Sequence, residues 1–353
     1  MLRLFPPPHL AEEAQALATR HPSLSGLVFA TSGTSSKPKW VLHSQEGIDW
    51  CAHTVNDHFH CSSKDVWGLA LPEFHVGGYC LTHRAKIAGG RLARFPKRWQ
   101  PLQFQEWLSK EAVTLTSLVP TQIFDLVKNN LHSPPHLRVA LVGGEHLALP
   151  LFERALELGW PLVTSYGMTE TAGLIAASHP GQNQLHPLCG WTLATTVQNQ
   201  LTIDGPGLFQ SYLTSNDPSP IAPPFITKDI VEIVKNIITI KGRSDEQIKI
   251  LGELVDLQPL RQSLSATLPE YQTALCALPD SRRGHLLVPV IEAHPSSLLE
   301  QQVQTWNDQL PAFSRCQAPI FLPSWPRTPL GKTDLKTLHS QVTREQSSRL
   351  PTN

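Results

Sequence analysis

Short apolar runs alternate with helical patterns over the first two-thirds of this 353-residue chain. Four runs, each bounded by Gly, Ser, Thr or Pro, predict buried strands: Leu27–Ala30, Val113–Val119, Val139–Val142 and Leu162–Ser165. Three intervening segments have helical spacing: Leu102–Lys110, Thr121–Asn129 and Pro150–Leu158. Such alternation predicts an α/β domain with a largely parallel sheet, in which ligands lie beyond the carboxyl ends of the strands.

The last third of the chain changes character. Two runs separated by Lys235-Asn236 predict a hairpin, and the pattern beyond it predicts a smaller α+β unit. The elements are listed in chain order: strands Ile230–Val234 and Ile237–Ile240, helix Leu257–Leu268, strand Leu286–Ile291 and helix Ser297–Gln309. We therefore predict a large domain over residues 1–244 and a small domain over residues 245–353, with the boundary at Asp245.

Composition excludes several classes of function. Lys plus Arg equals Asp plus Glu, at 29 each, so no basic field favours nucleic acid as a partner. The N-terminal residues do not form a secretory signal, and no apolar stretch approaches the ~20 residues that span a bilayer. The six cysteines include no C-x-x-C pair and are typical of reduced, buried thiols. We expect a cytoplasmic protein without membrane insertion.

The segment T-S-G-T-S-S-K-P-K, from Thr31 to Lys39, follows the first predicted strand. Its backbone N–H groups, hydroxyls and ammonium groups suit a polyphosphate ligand. It does not match the G-x-x-x-x-G-K-[ST] loop of ordinary nucleotide triphosphatases. On its composition alone, this segment is explained better as a Ser/Thr-rich surface turn than as a polyphosphate-binding loop.

Four later elements change that interpretation. They are Tyr166-Gly167-Met168-Thr169-Glu170, Asp229 in F-I-T-K-D, the run Gly242–Gly252, and Pro329-Leu330-Gly331-Lys332. With Thr31–Lys39, they resemble in order the motifs of the adenylate-forming superfamily, which includes acyl-CoA synthetases, adenylation domains and luciferases. Five ordered elements covering roughly residues 25–335 make a chance match negligible.

The resemblance implies a role for each matched residue. The implied nucleotide-binding residues are Thr31, Ser32, Gly33, Thr34, Ser35, Lys39, Gly143, Gly144, Glu145, Ser165, Tyr166, Gly167, Met168, Asp229, Arg243, Lys249 and Gly252. Thr169 would contact a phosphate and Glu170 would hold Mg²⁺, which prefers hard oxygen ligands. Lys332 would reach the reacting phosphate, and His75 would line the acid pocket. Taken alone, these side chains would also suit packing, a helix cap or a surface ion pair.

The resemblance also implies the reaction, whose co-substrates and cofactor are ATP, coenzyme A and Mg²⁺. A carboxylate attacks the α-phosphorus of ATP, pyrophosphate leaves, and a thiol then attacks the acyl-adenylate. This chemistry asks for positioning and charge stabilisation rather than a protein nucleophile. The small domain would rotate about Asp245, withdraw Lys332 and bring the Lys249–Gly252 region to the thiol channel.

The element L-P-E-F-H-V-G-G most resembles the short o-succinylbenzoate–CoA ligases of menaquinone biosynthesis, whose acid carries two carboxylates. Two alternatives stay open: another acid with CoA or a carrier protein as acceptor, and a degenerate, non-catalytic nucleotide-binding protein. The second is motivated by Ser36 and Trp40 where the family usually has glycine and by a shortened N-terminal side; a further departure from the family is Lys228, where glycine usually precedes Asp229. A homo-oligomer or a partner chain could cover that side.

Overall fold

The computed structural model describes residues 1–31, 39–214 and 218–349. The strands of these residues are β1 Leu2–Phe5, β2 Gly26–Ala30, β3 Trp40–His43, β4 Val66–Leu69, β5 Arg91–Arg94, β6 Leu115–Leu118, β7 Val139–Val142, β8 Leu162–Met168, β9 Gly173–Ala177, β10 His186–Pro187, β11 Thr192–Thr195, β12 Gln200–Asp204, β13 Ser211–Leu213, β14 Ser219–Pro220, β15 Phe225–Val234, β16 Ile237–Arg243, β17 Gln247–Ile250, β18 Glu253–Asp256, β19 Thr273–Asp280, β20 Gly284–Glu292 and β21 Ile320–Leu322.

The α-helices of the same residues are α1 Ala11–Arg20, α2 Gln45–His58, α3 Val76–Ile87, α4 Pro101–Lys110, α5 Pro120–Lys128, α6 Leu149–Glu157, α7 Leu257–Thr267, α8 Ser297–Asp308 and α9 Leu335–Arg349. Several begin at residues that suit a helix start. The side chains of Ser44, Asp256 and Ser296 accept hydrogen bonds from backbone N–H groups in the first turns of α2, α7 and α8. Proline opens α4 and α5, where its missing N–H is not needed.

A seven-stranded sheet with the order β10-β9-β8-β7-β6-β4-β5 forms the centre of the first part of the chain. Strands β5, β4, β6, β7 and β8 pair in parallel, and β9 and β10 add antiparallel partners. A five-stranded sheet (β1-β2-β3-β13-β14) and a four-stranded antiparallel sheet (β11-β12-β15-β16) complete this region. The α/β fold with a largely parallel sheet that the sequence predicts is thus confirmed, and antiparallel strands make the sheets mixed.

The parallel strands are buried on both faces because helices cover both sides of the sheet. Val139 and Leu141 of β7 join one hydrophobic cluster, whereas Ala140 and Val142 join another, as the two-residue repeat of a strand requires. The first cluster includes residues of α2 and α3, and the second includes residues of α4, α5 and α6. This double cover explains why the strands appear in the sequence as continuous apolar runs.

The chain beyond residue 245 folds around two further hydrophobic clusters, formed by residues between 248 and 342. They pack the sheet β19-β20-β21 against α7, α8 and α9. One apolar residue of this part packs elsewhere: Leu330 is buried in the first cluster of the parallel sheet. The segment around Leu330 therefore reaches the large sheet.

Trp40 has a structural role that accounts for its presence beside the Thr31–Lys39 segment. It is the first residue of β3, is buried, and its indole Nε1 donates to a carboxylate oxygen of Glu13 in α1 at 2.7 Å. Its ring packs with Ala14 and Leu17 of the same helix. The bulky residue thus fastens α1 to the five-stranded sheet.

Within the described residues, no helix has the length and apolar character needed to cross a membrane.

Gly77 and Gly78 lie at the start of α3. Substitution by alanine should affect the free energy of unfolding differently at the two positions. A Cβ on Gly78 would collide with the backbone carbonyl of Pro72, whereas a Cβ on Gly77 would meet only Leu71 Cδ1, at 3.9 Å. Gly78→Ala should lower the free energy of unfolding by about 1–3 kcal/mol through overpacking. Gly77→Ala should leave it unchanged or raise it by up to about 1 kcal/mol, since alanine favours a helix. Urea titration measures both, and equal effects of the two substitutions would contradict this account.

Candidate active site at the carboxyl edge of the parallel sheet

Three neighbouring strands end beside one another at the carboxyl edge of the sheet. The N–H of Gly143, just after β7, donates to the carbonyl of Leu118 in β6 at 3.3 Å. The hydroxyl of Ser165 in β8 donates to the carbonyl of Val142 at 2.9 Å. Because parallel strands end at the same side, the segments after β6, β7 and β8 form one continuous rim. Gly143, Gly144 and Ser165 of the predicted site lie along this rim.

The Thr169–Thr171 turn follows β8 directly and is tied to the five-stranded sheet. Nε2 of His43, at the end of β3, lies 2.7 Å from the Thr169 carbonyl oxygen, so this nitrogen carries the donated proton. Burial lowers the pKa of His43 to about 4, and the imidazole is neutral at neutral pH. The hydroxyl of Thr171 lies within hydrogen-bonding distance of the carbonyls of Met168 and Gly173, the residues on either side of the turn in β8 and β9. These bonds fix the backbone that presents Thr169 and Glu170.

Tyr212 connects Lys39, at one described end of the phosphate-loop-like segment, with Glu170. The N–H of Thr31 donates to the Lys39 carbonyl at 2.8 Å, and the N–H of Lys39 donates to the Thr31 hydroxyl at 3.0 Å. Nζ of Lys39 lies 4.8 Å from the ring centroid of Tyr212, and the Tyr212 hydroxyl donates to Glu170 at 2.8 Å. Burial and the Glu170 carboxylate raise the pKa of Tyr212. The other predicted loop ligands, Ser32, Gly33, Thr34 and Ser35, lie outside the described residues, as does Ser36.

A second polar group joins the strand ends to the hinge predicted at Asp245. The Tyr166 hydroxyl donates to Asp229, and NH1 of Arg243 lies 2.7 Å from the other oxygen of that carboxylate. Arg243 also donates to Asp245 at 2.9 and 3.2 Å, and Nζ of Lys228 lies 3.2 Å from the same carboxylate. Asp229 is buried, unlike a partner in an ordinary surface pair. Lys228, which departs from the family pattern, therefore adds a cation to the predicted hinge.

Lys332 lies against Gly144, just after β7, although it comes from the last part of the chain. A Cβ on Gly144, which has a φ of +88°, would lie 2.5 Å from Cε and 2.7 Å from Nζ of Lys332. Glycine at this position therefore makes room for the lysine. Burial lowers the pKa of Lys332, an effect that the nearby carboxylate of Glu145 opposes. The pKa of His75 is lowered to about 4, mainly by burial and secondarily by the positive charge of Lys332. A neutral imidazole therefore faces the cation.

Lys249 and Gly252 do not join this group in the present arrangement. They belong to the hairpin of β17 and β18, where the Lys249 carbonyl lies 3.1 Å from Nδ1 of His285. Gly252 occupies the exposed turn with a φ of +90°. Gly167 and Met168, by contrast, pair with β9 next to the Thr169–Thr171 turn. The backbone of Lys249 thus contacts Gly284 and His285 of the neighbouring hairpin.

The sequence analysis missed three residues of the site region: His43, Tyr212 and Arg84. His43 and Tyr212 carry no motif signal because their importance comes from strand pairing with distant residues. Arg84 comes nine residues after His75 on α3, and its guanidinium lies against Gly173, just beyond the Thr169–Thr171 turn. It is 2% exposed, and its Nε has no hydrogen-bond partner within the described residues. An arginine inside the pattern of a buried helix was the signal that could have revealed it.

The surroundings of Arg84 offer cysteines rather than carboxylates. Burial lowers its pKa, and the neighbouring groups that oppose this are Cys80, Cys51 and Cys61. Burial raises the pKa of Cys51 to about 12 and that of Cys80 to about 11, so both are neutral thiols. No Asp or Glu of the described chain forms an ion pair with Arg84. A buried cation without a partner costs several kcal/mol, and an anion beside it would offset that cost.

Comparison with known proteins agrees with this geometry. The AMP-binding enzyme family matches residues 12–208. This chain belongs to that family. The 2-succinylbenzoate–CoA ligase of Escherichia coli is 28% identical over 343 residues, covering 96% of this chain and 73% of that ligase. A naringenin synthase of Pestalotiopsis fici is 29% identical over 334 residues, covering 86% of this chain but only 12% of the synthase. The chain thus corresponds to a small part of that longer protein.

Solved structures give the same result. An E. coli MenE variant with bound OSB-AMS has a TM-score of 0.77 and 27% identity, covering 91% of this chain and 69% of its own. MenE from Bacillus subtilis in complex with ATP and a magnesium ion has a TM-score of 0.73 at 21% identity, covering 90% and 69%, and supports the fold alone. Within its family, the chain groups with the AMP-forming acid–CoA ligases. It spans about seven-tenths of the length of these ligases.

The carboxylate of Glu170 fits the magnesium role that the resemblance implies. One oxygen accepts from Tyr212, and a carboxylate is the hard ligand that Mg²⁺ prefers. Among the residues that the structure describes, no group of three His, Cys, Asp or Glu side chains is placed to hold a metal. Mg²⁺ usually binds through one or two carboxylates together with substrate phosphates. Glu170 therefore suits an ion that arrives with the nucleotide.

Two histidines of the site should make the free energy of unfolding depend on pH. The pKa values of His43 and His75 are both lowered from 6.5 to about 4. Between these values the unfolded chain binds protons that the folded chain does not, so the free energy of unfolding falls as the pH drops from 6.5 toward 4. His75→Gln should reduce the slope in this window by at most about 1.4 kcal/mol per pH unit. Urea titrations at several pH values measure the slope, and an unchanged slope would show that folding does not lower the pKa of His75.

Proposed function

We propose that this chain is an ATP-dependent o-succinylbenzoate–CoA ligase that acts through an acyl-adenylate. The observation that carries the catalytic part is the position of Lys332 at the carboxyl edge of the sheet, against Gly144 and beside Glu145 and His75. Glu170 follows β8, which pairs in the sheet with β7, the strand that leads to Gly144. Burying a charged ammonium group costs free energy. We therefore do not expect a partly buried lysine at this point in a nucleotide-binding protein that has lost catalysis.

In the first half-reaction, a carboxylate oxygen of the acid attacks the α-phosphorus of ATP, and the bond to the β-phosphate breaks to release pyrophosphate. The ammonium of Lys332 would offset charge that grows on the phosphate oxygens. The Thr169 hydroxyl and the Thr31–Lys39 segment would hold the phosphates, while Glu170 would hold Mg²⁺, which supplies further charge neutralisation. Asp229 and Arg243 would bind the ribose, next to Tyr166, Gly167 and Met168. The remaining implied nucleotide contacts come from the strand ends at Gly143, Gly144, Glu145 and Ser165.

In the second half-reaction, the sulfur of CoA attacks the acyl carbon, the bond from this carbon to the AMP oxygen breaks, and AMP leaves. We propose that residues 245–353 move as a unit about Asp245 for this step and bring Lys249 and Gly252 to the thiol channel. The ion pairs of Asp245 with Lys228 and Arg243 place charges at the point of rotation. The cytoplasmic location and an assembly with a second chain remain predictions from the sequence.

Arg84 supports an acid that has a second carboxylate. It is a buried cation without a partner carboxylate in the described chain, on the helix whose first residue follows His75. A carboxylate at one end of the substrate would pair with this guanidinium, while the other carboxylate is activated. Only an acid with two carboxylates would gain binding free energy from this ion pair, since one carboxylate is consumed in the activation. This feature favours the o-succinylbenzoate proposal over a simple aryl or fatty acid.

Replacement of Lys332 should separate the two half-reactions. Lys332→Ala should slow acid-dependent pyrophosphate release by about 10²–10³-fold, the usual loss for one charge-stabilising donor. Thioester formation from a pre-made acyl-adenylate and CoA should change little. Lys336→Ala is the matched control because Lys336 is exposed on α9 only four residues away. Equal losses in both half-reactions would contradict the role of Lys332.

Replacement of Arg84 should change substrate preference without loss of stability. Arg84→Met should lower kcat/KM for o-succinylbenzoate by about 10²-fold and leave an analogue without the second carboxylate nearly unaffected. Its thermal midpoint should stay equal or rise, because no carboxylate is left unpaired. Arg138→Met is the contrasting control, since Arg138 pairs with buried Asp65 at 2.9 Å and its loss should lower the midpoint. A lower midpoint for Arg84→Met with unchanged substrate preference would show a purely structural role.

The decisive assay for the whole proposal is pyrophosphate release across a panel of carboxylic acids, with and without CoA. Release with o-succinylbenzoate and formation of its CoA thioester would confirm the proposal. Release with another acid, or release without a CoA thioester, would favour a different acid or a carrier-linked acceptor. No release with any acid would favour the non-catalytic alternative.

A further inference from the structure

A second ion pair joins the turn that carries Lys332 to the large sheet. The guanidinium of Arg327 donates to both oxygens of Asp125 in α5, at 2.7 and 2.8 Å. The side chains of Arg327 and Asp125 are only 24% and 19% exposed. The indole of Trp99 donates to the same carboxylate at 2.7 Å. Asp125 is therefore held in place by its own side of the structure and presents a fixed acceptor to Arg327.

Arg327 and Lys332 belong to one tight turn. The N–H of Thr328 donates to the Lys332 carbonyl and the N–H of Gly331 donates to the Thr328 carbonyl, both at 2.8 Å. Such short-range bonds make the turn a small rigid unit. The position of the Arg327 guanidinium therefore constrains the position of the Lys332 ammonium, although Asp125 does not touch the reacting groups.

Further contacts dock the same turn on the residues around the start of α5. The hydroxyl of Thr121 donates to the Gly331 carbonyl, and Leu330 is buried in the cluster that includes Val119. Apolar burial holds the turn against the sheet without specifying its direction, because it is non-directional. A bidentate arginine–carboxylate pair adds the missing geometric specificity. The pair thus selects one docked position of the turn.

We propose that Asp125 and Arg327 form a latch that positions Lys332 for adenylate formation. The proposal rests on the function proposed above, because it assigns the latch to the first of the two half-reactions. When the latch is open, the Lys332 turn leaves its position at Gly144, and the first half-reaction slows. The thiol step does not use this position of Lys332 and continues at its normal rate. Asp125 and Arg327 are positioning residues in this scheme, not catalytic ones.

The test variant is Asp125→Asn, which preserves the size of the side chain and an acceptor for Trp99 but removes the charge. Its single-turnover rate of adenylate formation should fall by about 10- to 100-fold, while thioester formation from a pre-made adenylate changes less than about twofold. Arg327→Lys should give an intermediate loss, since lysine keeps the charge but not the two parallel bonds. Glu157→Gln, in the exposed pair with Arg154, is the control and should change neither rate.

Hydrogen exchange of the ligand-free protein gives a readout that does not depend on activity. In Asp125→Asn, amides of the segment 327–334 should exchange faster than in the parent protein, whereas Glu157→Gln should leave them unchanged. The latch is refuted if exchange is unchanged, or if both half-reactions fall equally. If the parent protein activates no acid, the proposed function fails. The exchange result then decides separately whether the pair docks the turn.

Discussion

Parallel pairing of β4, β6, β7 and β8 is the constraint on which the rest of the structure depends. It requires each strand to return through a helix and covers both faces of the sheet, which makes the strands continuously apolar. It also brings every carboxyl end to the same rim. The backbone and hydroxyl bonds that join Leu118 to Gly143 and Val142 to Ser165 show how closely these ends are aligned. Without that alignment, the segments after β6, β7 and β8 could not face one ligand.

Two distant parts of the chain complete the rim, and each is attached by a different kind of interaction. The five-stranded sheet is attached through His43, whose neutral ring donates to the Thr169 carbonyl, and through Tyr212, which donates to Glu170. The last part of the chain is attached through apolar burial of Leu330 and the charged contacts of its turn. The first attachment consists of two hydrogen bonds from uncharged side chains, one to a backbone carbonyl and one to a carboxylate. The second consists of one turn, which is the kind of contact that a moving domain can make and break.

Burial shifts the pKa values of the ionisable groups in this site and so affects which of them are charged. Lys332 and Arg84 are the cations whose pKa values are lowered by burial, and only Lys332 has a nearby carboxylate, that of Glu145. The histidine next to Lys332 is neutral, and the buried thiols around Arg84 are protonated. The described residues thus leave the charge of Arg84 without a carboxylate, whereas Lys332 has that of Glu145. A nucleotide phosphate and an acid with two carboxylates are ligands of the opposite sign.

The sequence by itself determined the α/β class, the strands at the rim and the residues that carry the motifs. Apolar runs and helical spacing reflect local burial, so β7 coincides with its prediction and α4, α5 and α6 agree within one residue at each end. Antiparallel strands such as β3 and β13 were harder to predict because they are short and pair with each other over a long separation in sequence. Tertiary structure alone decided what surrounds each motif. Arg84, His43, Tyr212 and the Asp125–Arg327 pair gain their significance from neighbours tens to hundreds of residues away, which no local pattern encodes.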